Sequence, residues 1–269
     1  MKKLLLLCSV LSLSVLWPGD AIAQLKIGGK KLNTAKLLDA GKDVAKAVTL
    51  SDSDIAQLSR EAVAWMDANN PVADETTEYG ARLKRLTEGI TEVDGLPLNF
   101  KVYKVADVNA FACGDGSIRV FSALMDLMDD DELMAIIGHE IGHVVHADTK
   151  HAMKNAYLAS AARNAAGAAE GSRLAKLSGS QLGELVTAFT DVQFSQKQEY
   201  EADEYGFEFS VKHGFSPYAM GNSLNKLVEL SKGAKASTVQ KMFSSHPDSE
   251  KRAARMKEKA DAHAAAQQQ

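Results

Sequence analysis

The strongest chemical signal in this chain is five residues long: His139-Glu140-Ile141-Gly142-His143. Two histidines four residues apart on a helix leave the same side, one turn apart, and both reach a single Zn²⁺ at about 2.0–2.1 Å. Glu140 leaves about 100° round from His139, near such an ion without competing for it. There it is placed to take a proton from a metal-bound water. The run from Ile136 to Val145 is otherwise almost wholly apolar, with Leu133, Ile137, Ile141 and Val144 on one broad face. Asp129, Asp130 and Asp131 precede it, where a helix N-terminus favours negative charge. The alternative is a chance match on a buried helix. Two histidines and a glutamate so placed are costly to bury without a partner, and a metal removes that cost.

A catalytic zinc usually takes three protein ligands and keeps a fourth position for water. His146 lies on nearly the same side as His139 but about 10 Å further along the axis, and His151 lies further still. Thr149 holds the position where the longer H-E-x-x-H-x-x-G-x-x-H pattern has its last histidine. The remaining candidate stretch is Phe194 to Gly206, read as a second helix, with Glu199 and Asp203 spaced i, i+4 on one face. One carboxylate there could ligate the metal while the other accepts an imidazole N–H. The competing reading, preferred on these residues alone, is a solvated acidic helix face.

The elements that must position these groups can be read in outline. The chain has 269 residues, 45% of them hydrophobic and 25% charged, an ordinary globular composition that suits one sizeable domain or two small ones. A net charge of −4 carries no basic stripe of the kind a nucleic-acid binder needs. Lys2 and Lys3, an apolar run from Leu4 to Trp17, and Ala21-Ile22-Ala23 read as an export signal cleaved before Gln24. A retained anchor is the alternative, but the run is short for a membrane span of about 20 residues and Pro18-Gly19-Asp20 breaks it. Cys8 lies in mid-run, a poor place for lipid attachment. Cys113 then remains alone, without an internal disulfide partner, as a buried small hydrophobe or a redox-sensitive contact.

Residues 24–34 read as a lead-in and Thr34 to Lys46 as weakly helical. Ser51 to Asp54 supply caps for a helix carrying Ile55, Leu58, Val63 and Trp65 and ended by Pro71. Glu75 to Ile90 reads as another helix, the two forming a layer on the sheet that follows. Strands are expected over 98–105, 108–113 and 117–121, with a turn at Gly114-Asp115-Gly116, and Ala123 to Met128 begins a helical turn. Residues 152–190, rich in Ala, Gly and Ser, read either as a surface helix with a flexible joint at Gly167 to Gly179 or as a mobile cover. Residues 256–269 form a charged, then Ala/Gln-rich tail.

The order of these motifs resembles the zinc metallopeptidases of the HtpX, Oma-type and CaaX-processing family, metallopeptidase family forty-eight. H-E-x-x-H followed by Glu199-x-x-Ala202-Asp203 carries the resemblance. So do Val108-Asn109-Ala110-Phe111-Ala112, Ile118 to Met125, Asp131-Glu132-Leu133, Phe194 to Glu199 and the late Ser245-His246-Pro247-Asp248. It covers roughly residues 50 to 255 and is strongest towards the LoiP type, a small cell-envelope member. By this resemblance Glu199 is the third ligand and Asp203 its partner behind the histidines. Asn109, Ala110, Phe111 and Ala112 form a strand edge that takes an extended peptide, Phe111 packed in an interior strand being the alternative. His246 is expected near the zinc, either donating to the reaction intermediate or filling the open coordination position in a latent state. Arg252 is expected to pair with Asp203 or a neighbouring acid. Two features depart from the family: the leader ends in Ala-Ile-Ala rather than a lipidated cysteine, and 152–190 is polar where HtpX-like members place membrane helices.

The expected molecule is therefore an α+β, zincin-like (gluzincin) metallopeptidase domain, mostly helical, with a small β-sheet beside the H-E-x-x-H helix. Residues 1–23 are expected as a removed signal peptide, 24–50 as a lead-in, 51–255 as the domain and 256–269 as the tail. One Zn²⁺ per chain is held by His139, His143 and Glu199, with Glu140 as general base. The expected activity is hydrolysis of unfolded or misassembled envelope proteins in the periplasm of a Gram-negative bacterium. No nucleic acid is expected, and peripheral membrane association is left open. The rivals are a chaperone-like assembly factor for outer-membrane proteins with a latent or structural zinc, and a helical adaptor without metal.

Overall fold

The computed structural model describes two strands at 26–27 and 30–31, and residues 50–164, 177–233 and 236–268. The expected leader, the helix over Thr34 to Lys46 and most of the Gly167 to Gly179 joint lie outside the described residues. Within the expected lead-in, β1 (Lys26–Ile27) pairs antiparallel with β2 (Lys30–Lys31).

The N-terminal layer is helical. Ser51 caps α1 (Asp52–Asn69) through a capping box with Asp54. Thr77 caps α2 (Glu78–Leu86), which is shorter than the Glu75 to Ile90 pattern suggested. Asp74 accepts from Thr76 N and Oγ1, which occupies the chain in a turn ahead of the cap, and Gly89 closes the other end at φ +80°. A hairpin absent from the sequence reading follows: β3 (Glu92–Val93) and β4 (Leu96–Pro97), joined by Asp94-Gly95, both at positive φ.

The main sheet has three strands in the order β5 (Asn99–Tyr103), β7 (Ser117–Phe121), β6 (Ala110–Ala112). β5 runs parallel to β7 and β6 antiparallel to it, so β6 is an edge. Asn109 O accepts from Phe121 N and Cys113 N donates to Ser117 O. By strand alternation the amide groups of Ala110 and Ala112 therefore point away from β7. Behind the sheet, Asp67 of α1 receives Arg119 Nε at 2.9 Å, Tyr103 OH at 2.7 Å and Lys101 Nζ at 2.7 Å, which ties the helical layer to both β5 and β7. Arg119 is almost fully buried and gives up no charge, because burial, which would lower its pKa, is outweighed by Asp67.

A short helix, α3 (Ser122–Leu127), leads to α4 (Asp130–Val145), the helix around which the largest core is built. Asp129 and Glu132 form its capping box, and every residue from Glu132 to Val144 is buried. Arg82 of α2 locks this end by donating to Asp130 Oδ1, Met125 O and Met128 O. Then come α5 (Asp148–Asn164), α6 (Gly179–Thr190), α7 (Gln196–Lys212), α8 (Ala219–Lys232), α9 (Ala236–Ser245) and α10 (Ser249–Ala266). Helix α7 crosses α4 at close range, since a Cβ on Gly206 would stand 2.9 Å from Ala135 O and from His139 N. The backbones meet because glycine leaves the space, and that contact brings a residue 60 positions away onto the two histidines. The fold is mostly helical with a small sheet, as the sequence indicates. Among the described residues no helix is long and apolar enough to cross a membrane.

Candidate metal centre

Residues from two helices and one loop meet at a single buried point. His139 and His143 come from the middle of α4, Glu199 from the first turn of α7, and His246 from the loop between α9 and α10; all four are buried. One donor atom from each lies within 4.8 Å of the others. The two Nε2 atoms are 3.1 Å apart; Glu199 Oε1 is 3.4 Å from His143 Nε2, and Oε2 is 3.7 Å from His139 Nε2. His246 Nδ1 closes the set at 3.4 Å from His139 Nε2 and 2.9 Å from Glu199 Oε1. Four donors about 2.0–2.1 Å from a tetrahedral zinc would be about 3.3 Å apart, so these spacings and this N/O donor set suit such an ion.

The opposite ring nitrogens fix which atoms face the centre. His139 Nδ1 faces Asp203 Oδ1 at 3.0 Å, and His143 Nδ1 donates to Asp148 Oδ2 at 2.9 Å, so both rings turn Nε2 towards the centre. Arg252 in turn donates from Nε to Asp203 Oδ2 at 2.8 Å and from Nη2 to Oδ1 at 2.6 Å, and pairs through Nη1 with Glu199. A guanidinium fully out of water between two carboxylates neutralises them, and they raise its pKa against the opposing effect of burial. Burial alone would push the Glu199 carboxyl up; His246, Arg252 and the His143 hydrogen bond hold it well below the usual carboxylate range. Asp203 is lowered on the same logic, by Arg252 and then His139. Burial lowers His139. His143 goes the other way, pushed up to about 9, because Asp148 and Glu199 outweigh its burial.

Glu140 stands beside the donors rather than among them. Its Oε1 is buried, has no hydrogen-bond partner among the described residues, and lies 3.9 Å from His246 Nε2. It lines a narrow cleft with Asn109 to Ala112 at the β6 edge, His246, Phe189 and Phe194. Asn109 Oδ1 is a second buried acceptor without a partner on that cleft. Phe111 is half-buried, touching Phe121 and Phe189 edge-on. A second, small apolar cleft reaches His139, His246 and Arg252 from the side of Ile136, Met220, Leu224 and Met242.

All eleven residues singled out from the sequence thus lie at or beside one centre: His139, Glu140, His143, Glu199, Asp203, His246, Arg252, and Asn109 to Ala112. His146 and His151 lie outside it; His146 ends α4 against Tyr205 and His151 is exposed. Two further neighbours escaped the sequence reading. Asp148 follows the end of the α4 helix, where helical periodicity assigns no direction. Phe194 stacks on His143 at 4.0 Å and 17°, and only its place beside the Glu199 motif drew attention to it.

Residues 79–260 match the sequence pattern of peptidase family M48. The chain is 38% identical over 243 residues to metalloprotease LoiP of Escherichia coli K12, covering 90% of this chain and 94% of that one. It is 36% identical over 229 residues to metalloprotease YcaL of the same strain, covering 85% and 88%. A more distant match, 31% over 162 residues, is the beta-barrel assembly-enhancing protease of Yersinia pestis, with 56% of this chain and 32% of that protein covered. With the matched pattern spanning most of the chain and full-length relatives of this similarity, the protein belongs to peptidase family M48 and is a metalloprotease.

Proposed function

We propose that the protein is a zinc-dependent endopeptidase that hydrolyses unfolded or misassembled proteins of the bacterial cell envelope. The observation that carries this reading is the buried set of His139, His143 and Glu199 donors with the unpartnered Glu140 carboxylate beside it. A zinc ion held there would lower the pKa of a bound water towards about 7 and polarise the scissile carbonyl. Glu140 takes the proton from the attacking water and delivers it to the leaving amine, from a position on the cleft where the peptide must lie. Asp203 and Asp148 hold the histidines with Nε2 inward, and Arg252 keeps the Asp203 and Glu199 carboxylates charged and fixed.

The peptide lies extended along Asn109 to Ala112, antiparallel or parallel to β6, taking its hydrogen bonds from the outward amides of Ala110 and Ala112. The Asn109 side chain supplies a further polar contact at the same edge. Export by a removed leader over residues 1–23 would place the enzyme in the periplasm, with residues 51–255 as its catalytic domain. Envelope proteins as substrates rest on that leader and on the relative named as a beta-barrel assembly-enhancing protease.

His246 belongs to the same reading as the fourth donor. With its Nδ1 among the other three, the arrangement leaves no separate place for water, which supports a resting state in which His246 occupies the water's position. The same arrangement is what a chaperone-like factor with a latent or structural zinc would have, so activity must decide between the two. Zinc content and casein cleavage of the mature protein, beside Glu140→Gln and His246→Ala, make the test. The proposal expects one zinc per chain, cleavage lost about 10²-fold or more in Glu140→Gln with zinc retained, and cleavage raised in His246→Ala. Tightly bound zinc without cleavage in either the wild type or His246→Ala would favour the chaperone reading; no zinc at all would refute the proposal.

A further inference from the structure

We propose that Asp148, gripped by Gln198, is the positioning residue for His143, so that the N-terminal turn of α7 both supplies one metal ligand and aims another. This rests on the proposed metal site. Asp148 is buried and both of its oxygens are used: Oδ2 accepts from His143 Nδ1 at 2.9 Å and Oδ1 from Gln198 Nε2 at 2.6 Å. Gln198 cannot swing away, because its Oε1 accepts from Ser195 N at 2.9 Å and from Ser195 Oγ at 2.8 Å in the capping box of α7. The next residue along is Glu199. Phe194, immediately before the cap, lies flat on the His143 ring at 4.0 Å. Rotation of the imidazole is therefore blocked by the Asp148 hydrogen bond on its edge and the Phe194 ring on its face, the first held in place by Gln198 and the second lying just before the same cap.

Two features indicate that this arrangement is selected by more than helix packing. Ala147 is held at φ +61°, a conformation that L side chains rarely adopt, and that turn is what folds Asp148 back onto His143 instead of letting α4 run on. The cap residue is glutamine. A glutamate at this position would cap the helix equally well, but it would set one carboxylate against another and push Asp148 off the histidine.

An ordinary structural role is open to Asp148 as well, since it is an acid in the first turn of α5. That role concerns the stability of the metal-free protein and leaves zinc affinity alone, so the two measurements separate them. The full mature chain and its Asp148→Ala, Asp148→Glu and Gln198→Glu variants would be stripped of metal. Each is then followed by thermal unfolding, by zinc affinity in competition with a chromophoric chelator, and by the visible spectrum after cobalt loading. Removing such a partner typically weakens metal binding by about ten- to a hundredfold, the loss expected in Asp148→Ala, with part of it recovered in Asp148→Glu. Gln198→Glu keeps the helix cap but sets a carboxylate against Asp148, so its metal-free melting should fall modestly while its zinc affinity falls and its cobalt spectrum shifts, the last two being changes that a purely structural role would not produce. Should Asp148→Ala fail to fold, Gln198→Glu alone decides. Wild-type zinc affinity and an unchanged cobalt spectrum in Gln198→Glu would overturn the inference and leave the metal site standing. A wild-type protein that binds no zinc would overturn both.

Discussion

Gly206→Ala tests how the site is built more directly than removal of any ligand. An added Cβ would stand 2.9 Å from Ala135 O, 2.9 Å from His139 N and 3.2 Å from His139 Cα, all backbone atoms that no rotamer change can move aside. Relief to ordinary contact needs α4 and α7 to part by about half an ångström, in an interior packed too densely to absorb it. Overpacking of this kind costs about 1–3 kcal/mol, the upper end applying when the obstacle is backbone. Alanine recovers about 0.8–1 kcal/mol of helix propensity. The net loss is then about 2 kcal/mol, or about 4–8 °C in the melting temperature of a domain this size. The same displacement carries Glu199 away from His139 and His143, whose donors now lie 3.7 and 3.4 Å from it, and a site tolerates only about half an ångström of such error. Calorimetry of the metal-free protein and chelator competition for zinc read the two effects. Gly233→Ala is the control, because its nearest neighbour would be 3.7 Å away and its backbone sits outside the left-handed region. If Gly206→Ala melted and bound zinc as Gly233→Ala does, the close approach would not be what assembles the site.

Three further outcomes are expected. Arg252→Met strands the Asp203 and Glu199 carboxylates out of water, a loss of about 3–5 kcal/mol that calorimetry should find larger without zinc than with it, since the ion compensates Glu199. Asp67 accepts from Arg119, Lys101 and Tyr103, and although burial raises its pKa these bonds hold it below its ordinary value. Its contribution is therefore complete above the unfolded pKa of about 3.9 and is lost as pH falls through the depressed folded value. The melting-temperature gap between wild type and Asp67→Asn should shrink below about pH 4; a gap constant from pH 7 to pH 3 would refute this. Ala112→Pro removes an edge amide that no ladder bond uses, so peptide cleavage should fall sharply while zinc content stays at the wild-type level. Unimpaired cleavage there would remove β6 as the binding edge.

Much of the fold could be read residue by residue. The helix start at Ser51 was visible because capping is local chemistry, a short polar side chain three residues ahead of its partner, and that of α4 through the acids Asp129 to Asp131 at its N-terminus; the cap at Ser195 was not read. The strands over 99–103, 110–112 and 117–121 were visible through alternation and the Gly114 to Gly116 turn. The β3–β4 hairpin was missed although Asp94-Gly95 is a strong turn signal, because strands of two residues, one ending in Pro97, leave no alternation to detect. The α2 helix was drawn too long because apolar spacing outruns the turn that the Asp74 side chain makes before Thr77.

The i, i+4 spacing of His139 and His143 on an apolar helix was enough by itself to give two donors one direction, since a helix fixes side-chain azimuth within a turn. The identity of the distant partners was not contained in that spacing. On its own residues, the face bearing Glu199 and Asp203 reads as an ordinary solvated surface, and both are in fact fully buried because Gly206 lets α7 lie against α4. Nor does any local pattern say that His246 and Arg252 converge on those carboxylates, or that Asp148 meets His143 from behind. Local sequence determines torsion and periodicity over a few residues. Which charges meet out of water is decided by long-range packing, because only there does each buried ion find the partner that makes its burial tolerable.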